Sequence, residues 1–220
     1  MTIKNIKTFC AILVALLATG CATQHQTPYD YAEFKHARPA SILVLPPLNS
    51  SQEVIAPYGM LAQATLPLAE SGYYVVPVAL AEETFKQNGL ATPADIHQVP
   101  VAKLREIFGA DAALYIEVKS YGTSYHIVNS TTVVAADAKL VDLRSAKVLW
   151  QGSASASSAE GQQNQNGLVG MLVSAVVNQI VGTVSDASYK IAGITSKRLL
   201  WAGHSNGMLY GPRSPLYQKD

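Results

Sequence analysis

Cysteine is almost absent from this 220-residue chain, which has only Cys10 and Cys21. Both lie close to the start, so no disulfide staples the body of the chain and its core has to form by apolar packing. Charge is scarce as well, at 14% of residues against 49% hydrophobic ones, and the two signs nearly cancel to a formal net charge of +1. Such a balance offers no basic stripe to nucleic acid, while the apolar content excludes bulk disorder. Long apolar runs are missing too. Residues 9–18 and 168–184 both fall short of the ~20 residues that cross a bilayer core, and the second run contains Ser174, Asn178 and Gln179.

Motifs that carry chemistry are equally thin. The five histidines, His25, His36, His97, His126 and His204, are scattered with no ligand-like partner at close spacing, and no cysteine is left for a metal. Gly167-Leu168-Val169-Gly170 lacks the lysine of a phosphate loop and the third glycine of a dinucleotide fingerprint. Gly203-His204-Ser205-Asn206-Gly207 matches the nucleophile elbow literally. That motif needs a strand before the serine, a helix after it and a later histidine, and His204 is the last histidine of the chain. Glu82, Glu83 and Asp95 read as the solvated sides of helices. Tyr115, Tyr121 and Tyr125 read either as an aromatic recognition patch or as the amphipathic wet face of a strand. The sequence therefore predicts no enzyme, no cofactor and no metal site.

The N-terminus is more explicit. Lys4 and Lys7, an apolar run and then small residues reproduce the layout of a secretory signal. Ala18-Thr19-Gly20-Cys21 closes it with a segment that resembles a bacterial lipobox. The resemblance implies cleavage before Cys21, a thioether-linked diacylglycerol on its sulfur and a fatty acyl chain such as palmitate on its amine. Ala22, where retained lipoproteins carry Asp, implies transfer to the outer membrane, with the domain facing the periplasm. Without Lys4 and Lys7, 14 basic residues remain against 15 acidic ones. Residues 1–20 are thus the signal, and 21–40 the lipidated N-terminus and a polar tether that, extended as far as Pro39, reaches about 60 Å. Tyr29, Tyr31 and Phe34 interrupt the tether, and either dock on the domain or lie at the lipid headgroups.

The globular domain is expected over residues 41–200. Ser41-Ile42-Leu43-Val44-Leu45, closed by Pro46-Pro47, reads as a central strand buried on both faces. Residues 48–53 read as a loop. A helix follows, with Pro57 in its first turn, Pro67 inside it and Leu61, Ala64, Thr65 and Leu68 on one face, and Gly72 stops it. A strand at 73–76, a helix at 81–87 and a helical stretch at 92–108 come next. From Ala112, Leu114, Ile116 and Val118 alternate with Tyr115, Glu117 and Lys119, as in a strand with one buried face. A second long strand after Asn129-Ser130 switches its apolar parity at Val141, which predicts a bulge near Leu140. A turn at Arg144-Ser145-Ala146 leads into a third strand whose Gly152, Ala154 and Ala156 predict a close approach to that face. The run at 168–184 reads as a buried helix, continued by another to Leu200. Its stripe Gly170, Ser174, Asn178 and Gly182 predicts either a subunit contact or plain close packing. Residues 201–220 form a Gly- and Pro-rich tail, in which Trp201 and Tyr210 are candidate partner contacts.

Val44-Leu45-Pro46-Pro47-Leu48-Asn49, Ala69-Glu70-Ser71-Gly72-Tyr73-Tyr74, Phe108-Gly109-Ala110-Asp111-Ala112, Leu140-Val141-Asp142-Leu143-Arg144-Ser145 and Leu209-Tyr210-Gly211-Pro212-Arg213 together resemble a family of bacterial lipoproteins of unknown function that includes a meningococcal surface-antigen candidate. The resemblance implies a single α/β domain, a mixed β-sheet with packed helices, similar to the N-terminal domain of TolB and to lipoprotein activators of peptidoglycan synthases. The order of predicted elements agrees with that fold. The expected function is an outer-membrane-anchored, non-enzymatic accessory of an envelope transport or secretion assembly. Its partners would be outer-membrane lipid through acylated Cys21, envelope proteins such as a curli-secretion-channel-like lipoprotein, and further copies in a homo-oligomer. The alternatives are a lipid-anchored ligand-binding protein or hydrolase, and an activator of a cell-wall synthase.

Overall fold

The apolar run predicted as a doubly buried strand is an interior strand of the sheet, paired on both sides. The computed structural model describes residues 29–125, 130–160 and 184–219. Within it β1 (Ser41–Val44) lies between β3 (Tyr74–Val75) and β4 (Ala112–Tyr125), parallel to both. Ile42 and Val44 enter one apolar cluster, and Leu43 and Leu45 enter a second one on the opposite face of the sheet. β5 (Ser130–Asp142) and β6 (Val148–Ser157) extend the sheet from β4 as an antiparallel meander, giving the order β3-β1-β4-β5-β6. A two-residue strand, β2 (Leu48–Asn49), forms within the expected loop and pairs with β4 beyond the end of β1.

Register follows the apolar alternation. Val44, Leu114, Leu140 and Trp150 are successive cross-strand partners, and all are buried, so one row of the first core runs through four strands. The expected bulge is present between Leu140 and Val141, and a second interrupts β4 between Val118 and Ser120. The small face of β6 is explained by what lies on it. A side-chain carbon added to Gly152 would come within 2.4 Å of Trp150 Cζ2, so the indole lies over the bare glycine backbone.

Helices cover both faces unequally. Over the second core lie α3 (Val78–Gln87), α4 (Pro93–His97) and α5 (Val101–Phe108), which contribute Phe85, Ile96 and Leu104. The helical stretch expected at 92–108 is divided in two because Pro100 lacks an amide donor and pushes Val99 out of the helical region. Over the first core lie α1 (Ala32–Ala37), α2 (Ala56–Glu70) and α6 (Val184–Leu200). The α6 helix contacts α2, β4, β5 and β6. The Thr195 hydroxyl lies 3.1 Å from the carbonyls of both Val134 and Ile191, which satisfies it in the core.

Both ends of the domain lie further out than expected. Of the two alternatives for Tyr29, Tyr31 and Phe34 the structure has docking: α1 forms within the segment expected as tether, Phe34 is 3% exposed, and both tyrosines pack against the same core. The residues left between Cys21 and the docked chain are 22–28, outside the described residues. The tail also packs: Ala202 and Met208 are buried, and the chain crosses the end of α2 backbone to backbone. There Gly211 N–H donates to Ser71 O at 2.8 Å and Arg213 N–H to Gly72 O at 3.0 Å. Gly72 is required, because its φ is +96° and a side-chain carbon on it would lie 2.4 Å from Ser214 N. The expected helix at 168–183 lies outside the described residues.

Candidate functional site

The segment that mimics a nucleophile elbow is a clasp. Ser205 is on an exposed turn that follows a helix, so the strand that the motif needs before its serine is not there. Asn206, held at φ +57°, accepts the Tyr29 amide on its Oδ1 at 3.1 Å and the Trp150 indole N–H on its carbonyl at 2.9 Å. The Tyr31 hydroxyl donates to Gly207 O at 2.5 Å. On the other side the β5–β6 turn grips α1: Arg144 Nη2 donates to Ala37 O at 2.6 Å, and Lys147 Nζ pairs with Glu33 at 2.6 Å. The turn is itself held by Asp142, which accepts the Ser145 amide at 2.8 Å and hydroxyl at 2.6 Å. Burial pushes the Asp142 carboxyl up, but the Ser145 and Arg144 donors outweigh it and hold it below the usual carboxylate range. The result fixes where the N-terminal end of the chain joins the domain.

Beside this clasp, between α1 and the tail, is a cleft of about 230 Å³. Phe34, Tyr73, Tyr210 and Tyr217 form its body, and Lys35 and Arg38 stand at its edge. The Tyr73 hydroxyl donates to Leu209 O at 2.5 Å, which ties the tail to the wall.

A second concave surface lies at the carboxyl end of β1, where open parallel sheets commonly present their sites. This groove, about 410 Å³, is bounded by Pro46 and Pro47, by Tyr58 and Leu61 of α2, and by Leu90 and Ile96. It continues onto α2, whose outward side carries exposed Val54 and Ile55 just before the helix and Tyr58, Ala62, Leu66 and Ala69 along it. Val54 is 84% exposed, Tyr58 58% and Leu66 50%. No charged residue occurs from Ala56 to Ala69, so the helix is apolar on its buried and its outward sides alike. That is the composition of a helix covered all round, and contiguous exposed apolar surface of this kind marks an interaction site.

The third surface is the half of the β4–β6 face that α3, α4 and α5 leave open, a shallow volume of about 530 Å³ with polar walls. Its charges satisfy one another. Lys119 Nζ lies 2.7 Å from Glu117 and 3.7 Å from Asp137, and Lys139 Nζ stands 5.0 Å from the centre of the Tyr115 ring. Lys119, helped by Ser50, holds Glu117 below the usual range. His97 is packed edge-on to Tyr115 and its Nε2 meets Pro46 O at 2.9 Å. Burial, which the Pro46 carbonyl opposes and Lys139 reinforces, lowers its pKa. Its Nε2 proton serves structure, not a reacting group. Among the described residues no cluster of His, Cys, Asp and Glu is arranged to hold a metal, and no helix is long and apolar enough to cross a membrane.

Of the residues singled out on sequence grounds, Cys21, Gly170, Ser174, Asn178 and Gly182 lie outside the described residues. Trp201 stands at the end of α6, 37% exposed. Tyr210 lies elsewhere, in the wall of the α1–tail cleft with its ring against Gly203. Sequence reasoning missed the outward stripe of α2, although the charge-free run from Ala56 to Ala69 was its signal. It also missed Arg38, whose place on the cleft edge depends on α1.

A mixed α/β domain whose N-terminus is clasped to its tail defines the class, and comparison with known proteins gives the family. The chain belongs to the family described as "Putative lipoprotein GNA1162-like", which matches residues 29–213. It is 53% identical over 203 residues to the lipoprotein NMB1124/NMB1162 of Neisseria meningitidis serogroup B, covering 91% of this chain and 94% of that one. The crystal structure of lipoprotein GNA1162 from Neisseria meningitidis is 59% identical, with a TM-score of 0.54, over 64% of this chain and 98% of that one. A weaker likeness, 18% identical with a TM-score of 0.41, is to the LpoB C-terminal domain from Salmonella enterica, over 53% of this chain and 82% of that one.

Proposed function

We propose that this chain is a non-enzymatic interaction module of an envelope transport or secretion assembly, held on the periplasmic face of the outer membrane by acylated Cys21. The observation that carries this reading is α2, apolar on its outward side from Tyr58 to Ala69 and continuous with the groove at Pro46. Leu66 is half exposed, so covering it recovers roughly half of the ~1.5–3 kcal/mol that full burial is worth, and several such side chains must be covered together to offset the cost of association. On this reading α2 replaces the tail as the main contact surface, because Tyr210 already packs against Gly203. The lipid supplies retention, since three acyl chains exceed the two signals that stable anchoring takes.

The test is photo-crosslinking in intact cells, with a crosslinking amino acid at Tyr58 or Leu66 and a control at Asp137 on the polar sheet face. A discrete envelope-protein adduct from the two α2 positions, absent at Asp137 and, for the crosslinker at Tyr58, lost on Leu66→Glu, is the expected result. Equal or absent labelling at all three positions refutes α2 as the contact surface.

A further inference from the structure

The cleft between α1 and the tail has features that neither the fold nor the α2 surface explains. Its body is aromatic, its edge carries Lys35 and Arg38, and no carboxylate of the described residues lines it. Arg38 is the more informative of the two. It follows α1 with φ +46°, the left-handed position that ends many helices and is usually filled by glycine. A side chain there opposes the backbone preference, and part of what it does is local, because its Nε donates to Lys35 O at 3.2 Å; no ion pair with a carboxylate of the described residues takes up the guanidinium charge. Gln218, on the opposite edge, also has a positive φ, +61°. Of the four non-glycine residues with positive φ among the described ones, two edge this cleft and a third, Asn206, builds the adjoining clasp.

We infer that the cleft binds a carboxylate carried on one compact apolar group, with the guanidinium of Arg38 and the ammonium of Lys35 receiving the charge and Phe34, Tyr73 and Tyr217 enclosing the apolar body. A planar guanidinium matches the carboxylate in geometry, and a basic edge with no competing acid among the described residues selects an anion. The volume of about 230 Å³ lies below the ~300 Å³ at which ordinary small-molecule pockets begin, so the occupant is about the size of one apolar amino acid. Such a group reaches the cleft either as a free acid or as the last residue of a polypeptide. This inference is independent of α2 and of the partner proposed for it.

The experiment titrates the full mature chain carrying Cys21→Ser with N-acetyl-L-phenylalanine and with its neutral amide, by calorimetry and by amide chemical shifts. A tetrapeptide ending in phenylalanine is added as the free acid and as the C-terminal amide. Saturable binding of N-acetyl-L-phenylalanine, at least tenfold tighter than its amide, is expected. Binding of the peptide acid as well identifies a chain end as an occupant, whereas its exclusion identifies a free acid. Arg38→Gly makes the decisive variant, because glycine suits φ +46° and should leave Tm unchanged or raised while abolishing the preference for the acid. Lys35→Gln, at an exposed helical position, should weaken the acid alone, and Tyr217→Ala should weaken acid and amide equally. Equal affinity for acid and amide, no binding of either by the unsubstituted chain, or an undiminished acid preference in Arg38→Gly would overturn the assignment.

Discussion

Gly152 shows how one missing side chain organises its surroundings. Because nothing projects from it, the Trp150 indole lies flat on β6 and its N–H reaches the Asn206 carbonyl, which in turn positions the turn that holds Tyr29 and Tyr31. Gly152→Ala should displace the ring and cost roughly 1–3 kcal/mol, as forced overpacking does. Denaturant unfolding, with indole fluorescence read in a Trp201→Phe background, measures it; an unchanged midpoint and an unchanged Trp150 signal would contradict the packing described. His97 offers a pH-dependent counterpart. Its folded pKa is lowered, first by burial and also by Lys139, while the unfolded chain protonates near pH 6.5. Below that value the unfolded state binds more protons, so stability falls as pH drops from about 6.5 toward the folded pKa. The groups facing His97 are Tyr115, Glu117 and Lys139, and Glu117 titrates only below the usual carboxylate range, so the two windows separate. His97→Gln, which keeps a donor for Pro46, should flatten the dependence of Tm on pH between about 7.5 and 5.5; an unaltered slope would assign it to other groups.

Among the elements, α1 and α2 depart furthest from what a sequence discloses. The strands β1, β4, β5 and β6 were legible because their apolar residues follow a period of two or run continuously between Pro, Gly and turn signals, and the bulge at Leu140 was legible from the switch in parity. The six residues of α1 have a weaker signal: its N-cap residue Tyr31 makes no side-chain bond, Asp30 just before it accepts the Ala32 amide at 2.9 Å, and Phe34 is its one deeply buried residue. It is held by the burial of Phe34, with surface contacts to Arg144 and Lys147, 107 and 114 positions away from their partners, and no local pattern contains any of these. For α2 the fault lay in the reading, since only the face with Leu61, Ala64 and Leu68 was used and the equally apolar outward side was not. If α1 is a docked element, Phe34→Ala should cost about 3–5 kcal/mol, the range for large aromatic truncations in a core. Limited proteolysis should then cut first around residues 29–40 at a rate well above that of the unsubstituted chain. Cleavage elsewhere first, or resistance equal to the original, would mean that α1 contributes little to holding the N-terminus.

For the molecule as a whole, the proposed anchoring through Cys21 would make the clasp set how far the domain stands from the membrane. Seven residues, 22–28, separate Cys21 from Tyr29. Fully extended they span about 25 Å, well under the reach counted to Pro39. On that anchoring, the side of the domain that bears Tyr29, the turn at Asn206 and the α1–tail cleft would be kept near the lipid headgroups, with the outward side of α2 exposed in the helical layer it shares with α1 and α6. Two changes separate anchoring from presentation. Cys21→Ala should abolish incorporation of labelled palmitate and move the protein from the outer-membrane fraction to the soluble periplasm, with its unfolding midpoint unchanged, because Cys21 precedes the clasp. Inserting about 15 Gly and Ser residues between Pro28 and Tyr29 should keep both the label and the fraction while relaxing the distance, since such a linker adds a flexible reach of about 20 Å. If the partner is met at a fixed height, crosslinking through Tyr58 and Leu66 should fall in the lengthened chain. Undiminished crosslinking would show that the lipid serves retention alone, and retention of Cys21→Ala in the outer membrane would show that the protein is held there by something other than its acylated cysteine.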